Sequence, residues 1–258
     1  MTKKIFLPAL LLIALFLLSS CANKLTYNVK PAMPPVSHDI WDGLLKKHVN
    51  AEGFVDYKGM IKDSAKLKQY LARLSSSHPQ RAWSKEEQMA YWINAYNAFT
   101  VKLIVDNYPV ASIKDIKNGI PFVNTVWDIK FIKIQSETYD LNAIEHGILR
   151  KNFPDGRIHA AVNCASFSCP VLRNEAFTAK RLESQLDDSM RNFLNDPKRN
   201  KVGADKAEIS EIFNWFSGDF KTDAGSVEAF VNRFAKVKLK AGGKISYLEY
   251  DWRLNDAK

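Results

Sequence analysis

Cysteine is scarce: the 258 residues hold three, Cys21, Cys164 and Cys169. Any thiol, metal or disulfide chemistry beyond the amino-terminal region must therefore pass through one short loop. Glycine is sparse as well; its eleven residues are dispersed and none forms a phosphate-cradling loop, which argues against a nucleotide site, and no cofactor is expected. The formal charge is +9, yet the lysines are scattered (Lys180, Lys198, Lys201, Lys236, Lys238, Lys240) and not interleaved with aromatics. A base-stacking groove needs that interleaving, so no nucleic-acid partner is expected. The apolar run Ile5 to Leu18 is too short for a comfortable membrane span. Neither an internal repeat nor a second domain boundary is visible.

What is present begins at the amino end. Lys3 and Lys4, the apolar run and the small residues before Cys21 have the order of a secretory signal. Leu18-Ser19-Ser20-Cys21 resembles the bacterial lipobox. That resemblance implies a signal peptide over 1–20, a diacylglycerol thioether on Cys21 and a further acyl chain such as palmitate on its amino group. More than one chain anchors stably, so the membrane becomes a partner through Cys21. Ala22, not an aspartate, follows, which in the lipoprotein class implies the outer membrane, facing the periplasm. Cleavage would remove 20 residues and two lysines from 258 residues at +9, leaving 238 at +7. Residues 21–37 carry Pro31, Pro34 and Pro35 and read as a lipidated tether; 38–258 read as one globular domain.

Within that domain Ile40, Leu44 and Leu45 have helical spacing, and Leu67, Tyr70, Leu71 and Leu74 predict an amphipathic helix. Ser84-Lys85-Glu86-Glu87 matches a capping box and predicts a helix running to about Asn107, stopped by Pro109. Its centre, Tyr91 to Ala98, is aromatic-rich and reads as buried. Asn94 and Asn97 share a face there; they either bond neighbouring backbone or orient a catalytic imidazole. Val126 to Ile134, the Gln135-Ser136-Glu137 turn and Thr138-Tyr139 predict a β-hairpin. Asp140 should cap a helix from Leu141 to about Lys151 carrying Glu145, His146 and Arg150. His159 to Val162 reads as a strand feeding the Cys164 loop. Then come an amphipathic helix on Leu182, Leu186, Met190 and Phe193, a short strand or turn over Ile209 to Phe216, a helix on Val227, Phe230, Val231 and Phe234, and a final strand from Ile245 to about Trp252. The sum is α+β: helices packed on a small, mostly antiparallel sheet.

Three readings of Cys164 and Cys169 stand side by side. In an oxidising compartment they form a disulfide that braces a recognition loop, and the protein is a non-catalytic binding or scaffold lipoprotein. Alternatively Cys164 is a nucleophile activated by His146 or His159, with Glu145, Asn94 or Asn97 orienting the imidazole, and cleaves or transfers acyl groups at a peptide, amide or cell-wall substrate. Finally, His146, His159, Cys164 and Cys169 hold zinc, although the Cys-x4-Cys spacing departs from the usual knuckle and no metal is expected. His146, beside a carboxylate on a polar helix face, is the better base; His159, between Ile158 and Ala160, reads as a satisfied core residue. Arg150 and Trp92 are the candidate substrate contacts, with a salt bridge the plainer use of Arg150.

Four segments together resemble one bacterial family, the domain of unknown function 547. They are Tyr91-Trp92-Ile93-Asn94-Ala95-Tyr96-Asn97-Ala98, Ile144-Glu145-His146-Gly147-Ile148-Leu149-Arg150, Arg157-Ile158-His159 through Asn163-Cys164 to Ser168-Cys169-Pro170, and Tyr250-Asp251-Trp252-Arg253-Leu254-Asn255. They span about residues 50 to 255. The family resemblance implies a fold and a site region, loosely like papain- and transglutaminase-type folds, and no established activity.

Overall fold

The computed structural model describes residues 33–117 and 125–257. The expected signal peptide, Cys21 and most of the tether lie outside the described residues. No helix among the described residues is long and apolar enough to cross a membrane. Ala32–Lys258 forms one compact unit, an α+β domain.

Its helices are α1 (Asp39–His48), α2 (Tyr57–Lys62), α3 (Ser64–Ser75), α4 (Lys85–Asn107), α5 (Arg150–Asn152), α6 (Leu182–Leu194), α7 (Ile212–Trp215), α8 (Ser217–Ala224) and α9 (Val227–Phe234). The strands are β1 (Ile132–Ile134), β2 (Glu137–Tyr139), β3 (Lys201–Val202), β4 (Lys206–Ser210) and β5 (Lys244–Leu248). β1 and β2 form the expected hairpin, shorter than its alternating pattern because Val126–Asp128 is a 3₁₀ turn. β3 pairs antiparallel with β4, and β4 pairs parallel with β5. Two of the three pairings are thus antiparallel.

α4 is the axis of the larger core. Ser84 Oγ accepts from the Glu87 amide at 3.1 Å and Glu87 returns a carboxylate to the Ser84 amide at 2.7 Å, the reciprocal cap its sequence predicts. Tyr91, Ile93, Tyr96 and Ile104 are fully buried, and such side chains contribute roughly 1.5–3 kcal/mol each relative to exposure. Packing, far more than the cap's ~1 kcal/mol, holds this helix in place. A smaller core is built from α6, β4 and α7–α9 around Phe193, Phe213, Phe220 and Phe230. The candidate site lies where the two cores meet.

Two elements at that seam differ from expectation. Gly156–Ala160 is a 3₁₀ turn, not the start of a strand. The Asp155 carboxylate caps it by accepting from the Arg157 amide at 2.9 Å, and Arg157 is held by Asp155, Glu183 and Asp187. A Cβ at Gly156 would stand 2.7 Å from Phe230 Cε2, so glycine allows the turn to close on α9. The cap and these longer-range contacts together outweigh the weak strand pattern of His159 to Val162. The predicted helix after Asp140 does form, capped by the Asp140 carboxylate on the Ala143 amide at 2.6 Å. Its stretch Ala143–Leu149 is a π-helix that passes into α5. Wide turns of this kind are rare and concentrate at functional sites.

Candidate active site

Cys164 sits on a loop held from three sides. Asn97 on α4 donates through Nδ2 to the Ala161 carbonyl at 2.9 Å and accepts the Asn163 amide at 2.8 Å. Asn163 in turn donates to the Pro170 carbonyl at 2.7 Å and accepts the Ala165 amide at 2.9 Å. The chain after β5 runs alongside: Ser166 bridges antiparallel to Leu254, the Phe167 amide donates to the Arg253 carbonyl at 2.7 Å, and Asn255 reaches Asn163. So constrained, Ala165 adopts a left-handed φ of +60°, a conformation that costs a non-glycine residue on the order of 1–2 kcal/mol. Strain beside a thiol, stabilised by buried bonds around it, is a feature of reactive loops.

The returning chain also delivers Tyr250. Its hydroxyl lies 3.4 Å from Cys164 Sγ and the Ser166 hydroxyl lies 3.2 Å from it, with the two oxygens 3.1 Å apart. The Cys164 amide donates to Cys169 Sγ at 3.0 Å. Hydrogen bonding from the Cys169 thiol, then from Ser166 and Tyr250, outweighs burial and brings the Cys164 thiol down to about 7. Burial pushes the Cys169 thiol up. The two sulfurs are therefore unlike: Cys164 is the more acidic thiol and Cys169 its donor. Both are free thiols, so the expected disulfide is not formed in this structure. The amides of Cys164 and Ala165 are engaged by Cys169 and Asn163, which removes them as ready oxyanion donors.

Cys164 opens onto a cavity of about 200 Å³ lined also by Tyr96, Glu145, His146, His159, Phe216 and Trp252. His159, buried on the 3₁₀ turn, bonds Asp219 Oδ2 through Nε2 at 2.8 Å and stacks on Phe216 with ring centres 4.1 Å apart. Burial lowers its pKa, keeping it neutral, whereas the bonds from His159 and Arg150 hold the Asp219 carboxyl well below the usual carboxylate range. Among the described residues nothing bonds its Nδ1. His146 is exposed, and its Nδ1 takes a hydrogen bond from Arg150 at 3.0 Å. No hydrogen bond joins either histidine to Cys164. Glu145 is buried; burial raises its pKa and its partner is Tyr96, not a histidine.

These contacts decide between the readings that the sequence leaves open: the two asparagines bond backbone and Arg150 makes its salt bridge, while the other candidates move. Asn94 holds Phe177, donating to its carbonyl at 2.8 Å and accepting its amide at 3.0 Å, and Asn97 staples the thiol loop; neither orients an imidazole. Trp92 packs between His78, Tyr91 and Tyr139 and does not line the cavity. Arg150 forms a two-pronged salt bridge with Asp219, at 2.6 and 3.0 Å, instead of waiting for substrate. The zinc set does not assemble, since His159 Nε2 is engaged by Asp219 and no group of three or more such ligands occurs among the described residues. His146 yields to His159 as the histidine with a carboxylate partner. Asp219, Ser166 and Tyr250 were not anticipated. Asp219 did carry a signal, a lone carboxylate inside the aromatic run Phe213 to Phe220.

These features define a class: an α+β domain with an acidified thiol and a carboxylate-held histidine in one cavity between two cores. Residues 80–194 match the family described as "Protein of unknown function, DUF547". The match takes in α4, the helix of Glu145 and His146 and the whole thiol loop; Asp219 and Tyr250 lie beyond it. No curated protein and no solved structure matches the chain.

Proposed function

We propose that the protein is a thiol hydrolase or acyltransferase of peptide or amide bonds, with Cys164 as nucleophile. The observation that carries the reading is the pairing, around one cavity, of a thiol lowered to about 7 with a neutral histidine backed by Asp219. His159, with Nε2–H directed to Asp219, has Nδ1 available as base and acid. As Cys164 Sγ attacks the substrate carbonyl, its thiol proton passes to His159 Nδ1; the carbon–nitrogen bond then breaks and the amine leaves with that proton. Water, deprotonated by His159, or an acceptor amine then cleaves the thioester and returns the thiolate. Tyr250 and Ser166, which donate to the thiolate, are placed to follow the charge to the carbonyl oxygen. Hydrogen bonds between nucleophile and base commonly tighten only with substrate in place. Lys3-Lys4, the apolar run and Leu18-Ser19-Ser20-Cys21-Ala22 support a lipid anchor on Cys21 in the outer membrane, facing the periplasm.

Acid-quenched mass spectrometry of the protein mixed with a pool of peptide esters and amides tests the chemistry. An acyl adduct on Cys164, accumulating in His159→Ala and absent in Cys164→Ala, is expected. Turnover that survives Cys164→Ala, or no adduct with any member of the pool, overturns the reading. Detergent-phase partition that Cys21→Ser abolishes tests the anchor; unchanged partition rejects it.

A further inference from the structure

The cavity's outer wall is aromatic. Trp127, Trp215, Tyr250 and Trp252 all line it, and they touch one another in a continuous cluster. Trp215 and Tyr250 have ring centres 4.8 Å apart, Tyr250 and Trp252 4.6 Å, Trp127 and Trp252 5.5 Å, and Trp215 stacks near-parallel on Trp252 at 5.9 Å. Trp215, at 48% exposure, is the most exposed of these rings and stands at the lip. Val162 and Ile212 supply aliphatic lining. Clustered rings left open beside a reactive thiol mark a place where an apolar group is bound.

The polar groups around the wall indicate what that group is. Asn142 donates to Asp128 at 2.7 Å, Arg150 is held by Asp219 and His146 Nδ1 by Arg150, and Glu145 is buried with its carboxyl pushed toward the neutral form. The carboxylate of Asp219 is matched by Arg150 and His159. Apart from the Cys164 sulfur itself, no unmatched charge among the described residues faces the cavity, so a charged side chain seated against the wall would lose its water without gaining a partner there. Size points the same way: a cavity of about 200 Å³ takes a single ring or branched chain, since an apolar cavity of roughly 150 Å³ suffices for benzene.

We propose that the wall of Trp127, Trp215, Tyr250 and Trp252 is a specificity subsite that receives one uncharged aromatic or branched apolar side chain of the substrate, seated next to the carbonyl that Cys164 attacks. The proposal rests on the thiol reading of the site. It assigns Trp215 and Trp252 to substrate selection and not to the bond-breaking step.

Three alkylating probes of one chemistry test it on the full chain: iodoacetamide, N-benzyl iodoacetamide and iodoacetate. Rates at Cys164 are followed by peptide mass spectrometry at neutral pH and divided by each probe's rate with a free small thiol. The benzyl probe is expected to outpace iodoacetamide by roughly tenfold, the gain of one well-filled apolar subsite, with iodoacetate the slowest. Trp215→Ala should bring the benzyl ratio down toward unity, and Trp215→Phe should restore most of it; Trp252→Leu serves as a second variant. A benzyl ratio near unity in the unsubstituted protein, an advantage for iodoacetate, or a benzyl advantage that persists in both Trp215→Ala and Trp252→Leu overturns the subsite while leaving the reactive thiol standing. Failure of all three probes to modify Cys164 overturns the thiol reading and the subsite with it.

Discussion

The middle of α4 and the loop from Val162 to Pro170 are equally dense in chemistry-bearing side chains, and the structure uses them in opposite ways. On α4, the carboxamides of Asn94 and Asn97 each meet backbone on both their donor and acceptor sides, so nothing remains for a substrate. In the loop, the backbone is satisfied by its neighbours while Cys164 Sγ is left to hydroxyls, a thiol and a cavity. Residue type and burial do not separate a structural polar group from a chemical one. Whether the backbone has already claimed its bonds does.

Substitutions in the two regions should therefore separate reactivity from stability. The largest effect falls on the loop: Cys164→Ser should abolish acyl-adduct formation while shifting the thermal midpoint little, read by calorimetry beside the adduct assay. A loss of folding in that variant would make the thiol structural. Asp219→Asn should slow turnover on the order of 100-fold, because His159 loses the carboxylate that fixes its tautomer, whereas His146→Ala should change it far less. Comparable losses in both variants would return the base to His146.

On the α4 side, Asn97→Ala leaves the Asn163 amide and the Ala161 carbonyl unpartnered in the interior and should cost about 3 kcal/mol by denaturant unfolding. Asn94→Ala should cost a similar amount at Phe177 yet leave the labelling rate of folded Cys164 unchanged, which Asn97→Ala should not. Equal effects of the two on labelling would erase the distinction between them. The smallest effect is Ser84→Ala, about 1 kcal/mol of α4 capping, with no change at the site.

How much of this was legible in the sequence follows the range of the forces involved. The α4 cap, the buried face of α9 (Val227, Phe230, Val231, Phe234) and the thiol loop as the place to look are written in short-range patterns. His159 to Val162 suits a strand by pattern, yet the chain closes as a turn over Gly156–Ala160, because the deciding partners of that turn, Glu183, Asp187 and Phe230, lie far along the chain. His159 was ranked below His146 for the same reason: its carboxylate comes from α8, sixty residues on. Tyr250 was visible within a family-like segment, but its proximity to Cys164 depends on the antiparallel return of Leu254 past Ser166. Residues that bond neighbours in sequence could be read, and residues assembled by tertiary pairing could not.

The proposed chemistry turns on the acidity of one sulfur, Cys164 Sγ. The most direct test is the rate of iodoacetamide labelling at Cys164, by peptide mass spectrometry, from acid to alkaline pH in the protein as isolated. Because its hydrogen bonds hold the thiolate down to about 7, labelling should be rapid at neutral pH and fall off as pH drops through that value. An inflection near the ordinary thiol value of about 8.5, or no labelling at any pH until reductant is added, would contradict it.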